Sequence, residues 1–114
     1  MRVFNQTHQV ILIEQARVAD TFLLRLRGLL GSAPLKKQEG LILVGEKSIH
    51  TLFMGFPIDV LYVAKDFTVI RADEAMVPYR LGPFISKSAY ILEMPIGTIT
   101  ATQTAVGDQL KFEV

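Results

Sequence analysis

Three side chains in this sequence stand where the surrounding pattern asks for something apolar or neutral: His50, Asp59 and Glu93. Glu93 lies in the stretch YILEMPIG. Read as a strand, this stretch sends Tyr90, Leu92 and Met94 to one face and Ala89, Ile91 and Glu93 to the other. A carboxylate near the end of a strand covered on both faces must be paired, protonated or open to a cleft, because an unpaired buried charge costs several kcal/mol. Its partner in a structural ion pair would be Arg25 or Arg80; without such a partner it is a candidate ligand-binding group. Asp59 shares a face with Leu61 and Val63, where alternation calls for an apolar residue. It also follows the Gly55-Phe56-Pro57 turn, where a carboxylate accepts backbone N–H groups readily. His50 precedes Asp59 by nine residues across that turn, and an imidazole there can ligate a metal, act as a base or bond a backbone carbonyl. If Asp59 and Glu93 converge, they can hold a divalent cation or work as an acid–base pair.

Other residues suit contact better than chemistry. Phe53, Met54 and Phe56 form an apolar group beside the turn, as core fillers do. Tyr79, Arg80 and Phe84 lie in the long segment Val77 to Lys87, which carries two prolines and a glycine, and they are the candidate partner-contact residues. His8, in the N-terminal region, is expected to be solvated. The two histidines have no HxH or HxxxH spacing and there is no cysteine. Thiolate chemistry, disulfides and cysteine-ligated metals are therefore excluded, and no metal site is assigned. The phosphate-binding, dinucleotide-binding and nucleophile-elbow motifs are absent, so no catalytic residue is assigned and no cofactor is indicated.

Charge sets further bounds. Twelve Lys and Arg balance eleven Asp and Glu, leaving a net charge of +1. That balance speaks against a nucleic-acid-binding protein. The longest basic run is Lys36-Lys37 and the longest apolar stretch is five residues, Val60 to Ala64, far short of the ~20 needed to span a bilayer. A membrane partner is not expected. A cytoplasmic location is the default expectation, a removed secretion leader being the alternative.

The elements that must position these residues are mostly strands. With 114 residues, half of them hydrophobic, the chain is expected to form a single domain over residues 1–114 around one core. Arg2 to Asn5, Gln9 to Glu14, Leu41 to Val44, Ile49 to Met54, Ile58 to Ala64, Thr68 to Met76, Ala89 to Met94 and Gln109 to Val114 read as strands, separated by Gly, Pro and Asp turn signals. Phe22, Leu26, Leu29 and Leu30 recur at helical spacing behind Asp20, giving one helix near residues 20–31 closed by Gly31. Thr98 to Val106 fits either a helical turn or an extended connection. Seven or eight short, mostly antiparallel strands with one flanking helix make a β-sandwich or distorted barrel, and the missing crossover helices argue against a doubly wound sheet.

Four segments in order, RLRGLLG (Arg25 to Gly31), IHTLFMGFPIDVLYV (Ile49 to Val63), YILEMPIG (Tyr90 to Gly97) and VGD (Val106 to Asp108), resemble the domain of unknown function 192 family, whose members are also called UPF0127 proteins. The resemblance covers the chain from about Ala19 onward. It implies a compact β-sandwich-like fold with a flanking helix and no established activity. Relatives with the short FPID form usually carry a basic residue where this chain has Gly55, so any function that uses that charge does not transfer. The expectation is a binding module for a small ligand or a protein, with Arg25, His50, Asp59, Arg80 and Glu93 as the ligand-binding candidates. The alternatives are a small, cation-assisted hydrolase or lyase using Asp59 and Glu93, and a purely structural role.

Overall fold

A strand that is apolar on both sides has to be covered on both faces, and two such strands lie at the centre of this fold. The computed structural model describes residues 1–19, 35–48, 55–77 and 80–114. Within them the chain runs β1 (Arg2–Asn5), β2 (Val10–Ile13), β3 (Gln15–Ala19), β4 (Glu39–Val44), β5 (Ile58–Ala64), β6 (Val69–Met76), β7 (Ser88–Pro95), the short helix α1 (Thr98–Thr102) and β8 (Leu110–Glu113). The expected helix near residues 20–31 and the expected strand Ile49 to Met54 lie outside the described residues.

The eight described strands form two sheets, one of three strands in the order β2-β1-β8 and one of five in the order β3-β4-β7-β5-β6. Every pairing is antiparallel except that of β3 with β4. The mainly β, mostly antiparallel architecture expected from the sequence is thus the one observed. In the larger sheet β5 and β7 lie side by side in the middle, and of their residues Ile58 through Val63 and Ile91 through Met94 are buried.

Two apolar clusters flank this sheet. On one face Leu61, Val63, Leu92 and Met94 meet Val3, Leu12, Ile13 and Leu110 of the small sheet, together with Ile99 of α1. On the opposite face Leu41, Leu43, Ile58, Val60, Tyr62 and Ile91 form a second cluster, against which Leu35, Phe56, Met76 and Ile85 pack. Residues 59, 61 and 63 of β5 therefore belong to the inter-sheet core, and residues 58, 60 and 62 to the other side, as strand alternation requires.

Three differences from the sequence expectations have physical causes. First, Gln15–Ala19, which the sequence pattern left unassigned, is a strand. It is the parallel edge of the large sheet, paired through Gln15↔Glu39 to Ala19↔Leu43. Four of its five residues are at least partly exposed, so it carries no apolar alternation to reveal it. Second, the undecided segment after Gly97 is helical over Thr98–Thr102. Thr98 donates its hydroxyl hydrogen bond to the Pro95 carbonyl and Thr102 to the Thr98 carbonyl, which lets a threonine-rich stretch make one helical turn. Third, His8 is not simply solvated: its Nε2 lies 3.1 Å from Oδ2 of Asp108.

The sheets meet closely at Gly40 in β4. A Cβ there would sit 2.6 Å from Cδ1 of Ile13 and 3.1 Å from the backbone oxygen of Glu93. Ile13 is fully buried, so its side chain can yield only by repacking against its core neighbours. Gly40→Ala is expected to cost roughly 1–3 kcal/mol through overpacking, measured as a lowered urea midpoint with unchanged slope. An unchanged midpoint would mean that the sheets separate freely at this point.

Candidate functional site

Three carboxylates are buried among the described residues: Asp59, Glu93 and Asp108. Their surroundings differ in a way that separates structural groups from a candidate site.

Asp59 enters β5 directly after Pro57. Its Oδ1 accepts the Ala75 N–H at 2.9 Å and its Oδ2 accepts the Ile99 N–H at 2.9 Å. Ala75 sits where the β5–β6 register shifts and adopts φ 51°, a left-handed conformation disfavoured for a residue with a Cβ. Ile99 lies in the first turn of α1, whose N-cap is Gly97, with no side-chain acceptor of its own. One carboxylate therefore fastens a bulge and supplies the helix N-terminus with a missing acceptor. Asp108 is also fully engaged. Its Oδ2 accepts from Asn5 Nδ2 at 3.0 Å and Ala105 N at 2.9 Å, and it pairs with His8. Asn5 in turn bonds the Thr104 hydroxyl at 3.1 Å and accepts the His8 N–H. This network ties the turn after β1 to the turn before β8.

Glu93 is different. It is 3% exposed, and its Oε2 has no hydrogen-bond partner. Register places Leu41 of β4 on one side of it and Val60 of β5 on the other, so the carboxyl rises from an apolar floor. Loss of hydration, opposed only in part by the charge of Arg17, pushes its pKa up to about 8. Near neutral pH it is predominantly a neutral acid.

A second orphan atom belongs to the same face. Tyr62 is fully buried, and its hydroxyl likewise has no partner. Tyr62 pairs with Ile91, two residues before Glu93 on the same face, which makes the two side chains diagonal neighbours with backbones roughly 7–8 Å apart. Burial first, then the charges of Asp73 and Glu93, raise the phenol to about 12, with Arg71 opposing. Arg71 faces Tyr62 across the β5–β6 pair and donates from Nε to Asp73 at 3.0 and 3.2 Å.

Not all the residues expected to form a site come together. Asp59 pairs with Met94, and Val60 with Glu93, so the two carboxylates project from opposite faces of the sheet. A mechanism in which both act on one substrate atom does not fit this geometry. No group of three or more metal-ligating side chains occurs among the described residues. Arg25, His50 and Tyr79 lie outside the described residues. Arg80 is exposed, and Phe84 and Leu81 are the most exposed large apolar side chains of their segment, at 71% and 77%. Gly55 is exposed with open space around its Cα, so a longer side chain fits there. Sequence reasoning missed Tyr62 and Arg17. The first carried a usable signal, since a phenol inside the run DVLYV needs a partner for its hydroxyl. The second carried none without the strand that bears it.

The fold and this face define a two-sheet β protein with two unsatisfied polar atoms buried on the face of its larger sheet turned away from the small sheet. The chain belongs to the DUF192 family, described as Uncharacterized ACR, whose model matches residues 3–112. It is 30% identical to a UPF0127 protein of Thermococcus sibiricus over 98% of this chain and 75% of the relative. It is 26% identical to a UPF0127 protein of Pyrococcus horikoshii over 96% of this chain and 97% of the relative. A crystal structure of a protein of unknown function from Novosphingobium aromaticivorans superposes with a TM-score of 0.84 at 20% identity, covering 97% of this chain and 82% of that one. That likeness concerns the fold. The family is one of uncharacterised function, and among the described residues no helix is long and apolar enough to cross a membrane.

Asp59→Ala leaves the Ala75 and Ile99 N–H groups without their acceptor. It is expected to cost about 2–4 kcal/mol as measured by chemical denaturation, the buried Ile99 donor contributing roughly 1–3 and the part-buried Ala75 donor less. Asp59→Asn is expected to recover part of this. Wild-type stability in the alanine variant would remove the structural role assigned to this carboxylate.

Proposed function

We propose that the protein is a binding module whose recognition groups are Glu93 and Tyr62. One observation carries this. Of the three buried carboxylates described, two are engaged by hydrogen bonds, whereas Glu93 Oε2 takes none, and the Tyr62 hydroxyl on the same face of the sheet is equally unpartnered. A buried polar atom without a partner lowers stability, and a leucine or phenylalanine would fill either place without that cost. Two such atoms on one face suit recognition of a ligand that supplies the missing bonds, since perturbed and unsatisfied groups concentrate at functional sites.

The runner-up is an enzyme in which Glu93 alone acts as a general acid. Its support is the raised pKa of about 8, which leaves the group protonated at neutral pH, as proton donation requires. Asp59 has no part in this version, being committed to backbone donors. The exposed Leu81 and Phe84 suit a protein-contact rim, an adjunct to the binding role.

Stability against pH tests the assignment of Glu93. In the unfolded chain this carboxyl ionises near 4.5 and in the folded protein at about 8. Between those values the folded state holds a proton that the unfolded state has released, so the contribution of Glu93 to stability falls as pH rises and levels off above about 8. Glu93→Gln removes this dependence. The melting-temperature advantage of the variant over wild type is expected to be smallest near pH 5 and to grow until about pH 8. Tyr62→Phe, which deletes an unpartnered hydroxyl, is expected to match or exceed wild-type stability by up to roughly 1 kcal/mol. Loss of several kcal/mol in both variants, with no pH trend, would make the two residues structural.

A further inference from the structure

Strand alternation in the small sheet sends Val3 and Leu110 into the inter-sheet core and leaves Arg2, Phe4, Lys111 and Glu113 on the opposite face. Polar residues are the rule on such a face. Yet Phe4, in the central strand, is half-buried there, and the half-buried Ile11 of β2 stands opposite it. That pairing comes from a bulge. Register passes from Val3↔Ile13 to Phe4↔Ile11, so Leu12 is the extra residue and is buried together with Ile13. A bulge bends its strand and sharpens the local twist. Beside this one lies an open cavity of about 250 Å³, lined by Arg2, Phe4, Gln6, Ile11, Lys111 and Glu113.

The charges around the cavity are unevenly matched. Arg2 donates from Nε to Glu113 at 3.1 Å, and its Nη1 lies 3.8 Å from Glu14. Lys111, the cross-strand partner of Phe4, makes no hydrogen bond or ion pair among the described residues, and neither does the side-chain amide of Gln6. The one carboxylate of the lining is thus already met by a guanidinium, while one ammonium is not. A cationic ligand would have to compete with Arg2 for Glu113. An anion finds Lys111 unclaimed and Gln6 ready to donate. A phosphate would bring a second negative charge beside Glu113 and would leave the apolar Phe4–Ile11 floor unused.

We propose that this groove binds a small aromatic monocarboxylate, whose ring lies on Phe4 and Ile11 and whose carboxylate pairs with Lys111 and accepts a hydrogen bond from Gln6. Phe4 and Lys111 face each other across β1 and β8, with Cβ atoms ~4.5–5.5 Å apart, so one compact molecule reaches both. The cavity is smaller than the ~300–1,000 Å³ of clefts that enclose drug-sized ligands, which restricts the ligand to one ring or two fused rings. The site belongs to the small sheet. It is separate from Glu93 and Tyr62 and goes beyond the binding role given to them.

The test is a fluorescence titration of the full chain, which has no tryptophan, with 2-naphthoate and with its uncharged analogue 2-naphthamide. 2-Naphthoate is expected to bind, and 2-naphthamide to bind about fivefold more weakly, the upper worth of one exposed ion pair. Lys111→Gln, at an exposed position and shown folded by its denaturation curve, is expected to erase that difference, and Lys111→Glu to reverse it. Glu113→Gln removes the negative charge beside the site and is expected to tighten 2-naphthoate severalfold. Phe4→Ala, checked for folding in the same way, is expected to weaken both probes alike. Lys87→Gln, which removes a cation from the loop before β7, is expected to change neither. The proposal is overturned if 2-naphthoate does not bind, if wild type takes both probes equally well, or if the preference for the anion survives in Lys111→Gln.

Discussion

Where Asp59 accepts the N–H groups of Ala75 and Ile99, three distant pieces of chain are held at one point. The start of β5 is fixed to the irregular end of β6 and to the first turn of α1. A backbone carbonyl could serve one of these donors from one direction, but a carboxylate has lone pairs to face both. Because Asp59 points into the inter-sheet core beside Leu61 and Val63, its placement also decides which residues of β5 face the small sheet and which face away. A slip of one residue would exchange the two sets. The segments around it follow from this anchor. Ile58 pairs with Pro95 and Asp59 with Met94, so FPID and MPIG, far apart in the chain, are neighbours in the sheet, and Gly97 turns the backbone at φ 91° to present Ile99 to the carboxylate.

With Asp59 and Asp108 committed to the fold, Glu93 is left with an unexplained orphan oxygen. It occupies a centre-sheet position where an apolar side chain would pack against Leu41 and Val60 without a desolvation cost. The raised pKa is the electrostatic form of the same fact: with little positive charge close by, the proton stays on. Tyr62 repeats the arrangement one row away. Stability alone does not account for both residues.

The sequence revealed the strands with strong apolar patterns and hid those without. Ile58–Ala64 is found with the bounds expected, because a run apolar on both sides is unmistakable, and the assignment of Leu92 and Met94 to one face and Ile91 to the other follows from alternation alone. Gln15–Ala19 was hidden because an edge strand needs no apolar pattern, and its partner Glu39–Val44 lies beyond a long intervening stretch. The site was half legible. A carboxylate inside YILEMP is visible as an anomaly, but sequence cannot say whether an arginine already meets it. The proposed company of Asp59 and Glu93 failed on register. They sit on neighbouring strands, and a one-residue offset between Asp59↔Met94 and Val60↔Glu93 turns neighbours into opposites.

The small sheet places β1 between β2 and β8, with Arg2 opposite Glu113 and Asn5 opposite Leu110. During synthesis β1 and β2 emerge early and can close as a hairpin, but the other edge of β1 waits until the last strand has left the ribosome. Until then one side of β1 exposes unpaired backbone groups, and Val3 and Ile13 lack the cover that Leu110 later provides. Long-range closure of this kind is slow, because the entropy of bringing distant segments together is lost before contacts form. The growing chain is thus open to wrong pairing with another copy until β8 arrives, and the polar Arg2 on that edge disfavours such pairing while the sheet waits for its third strand.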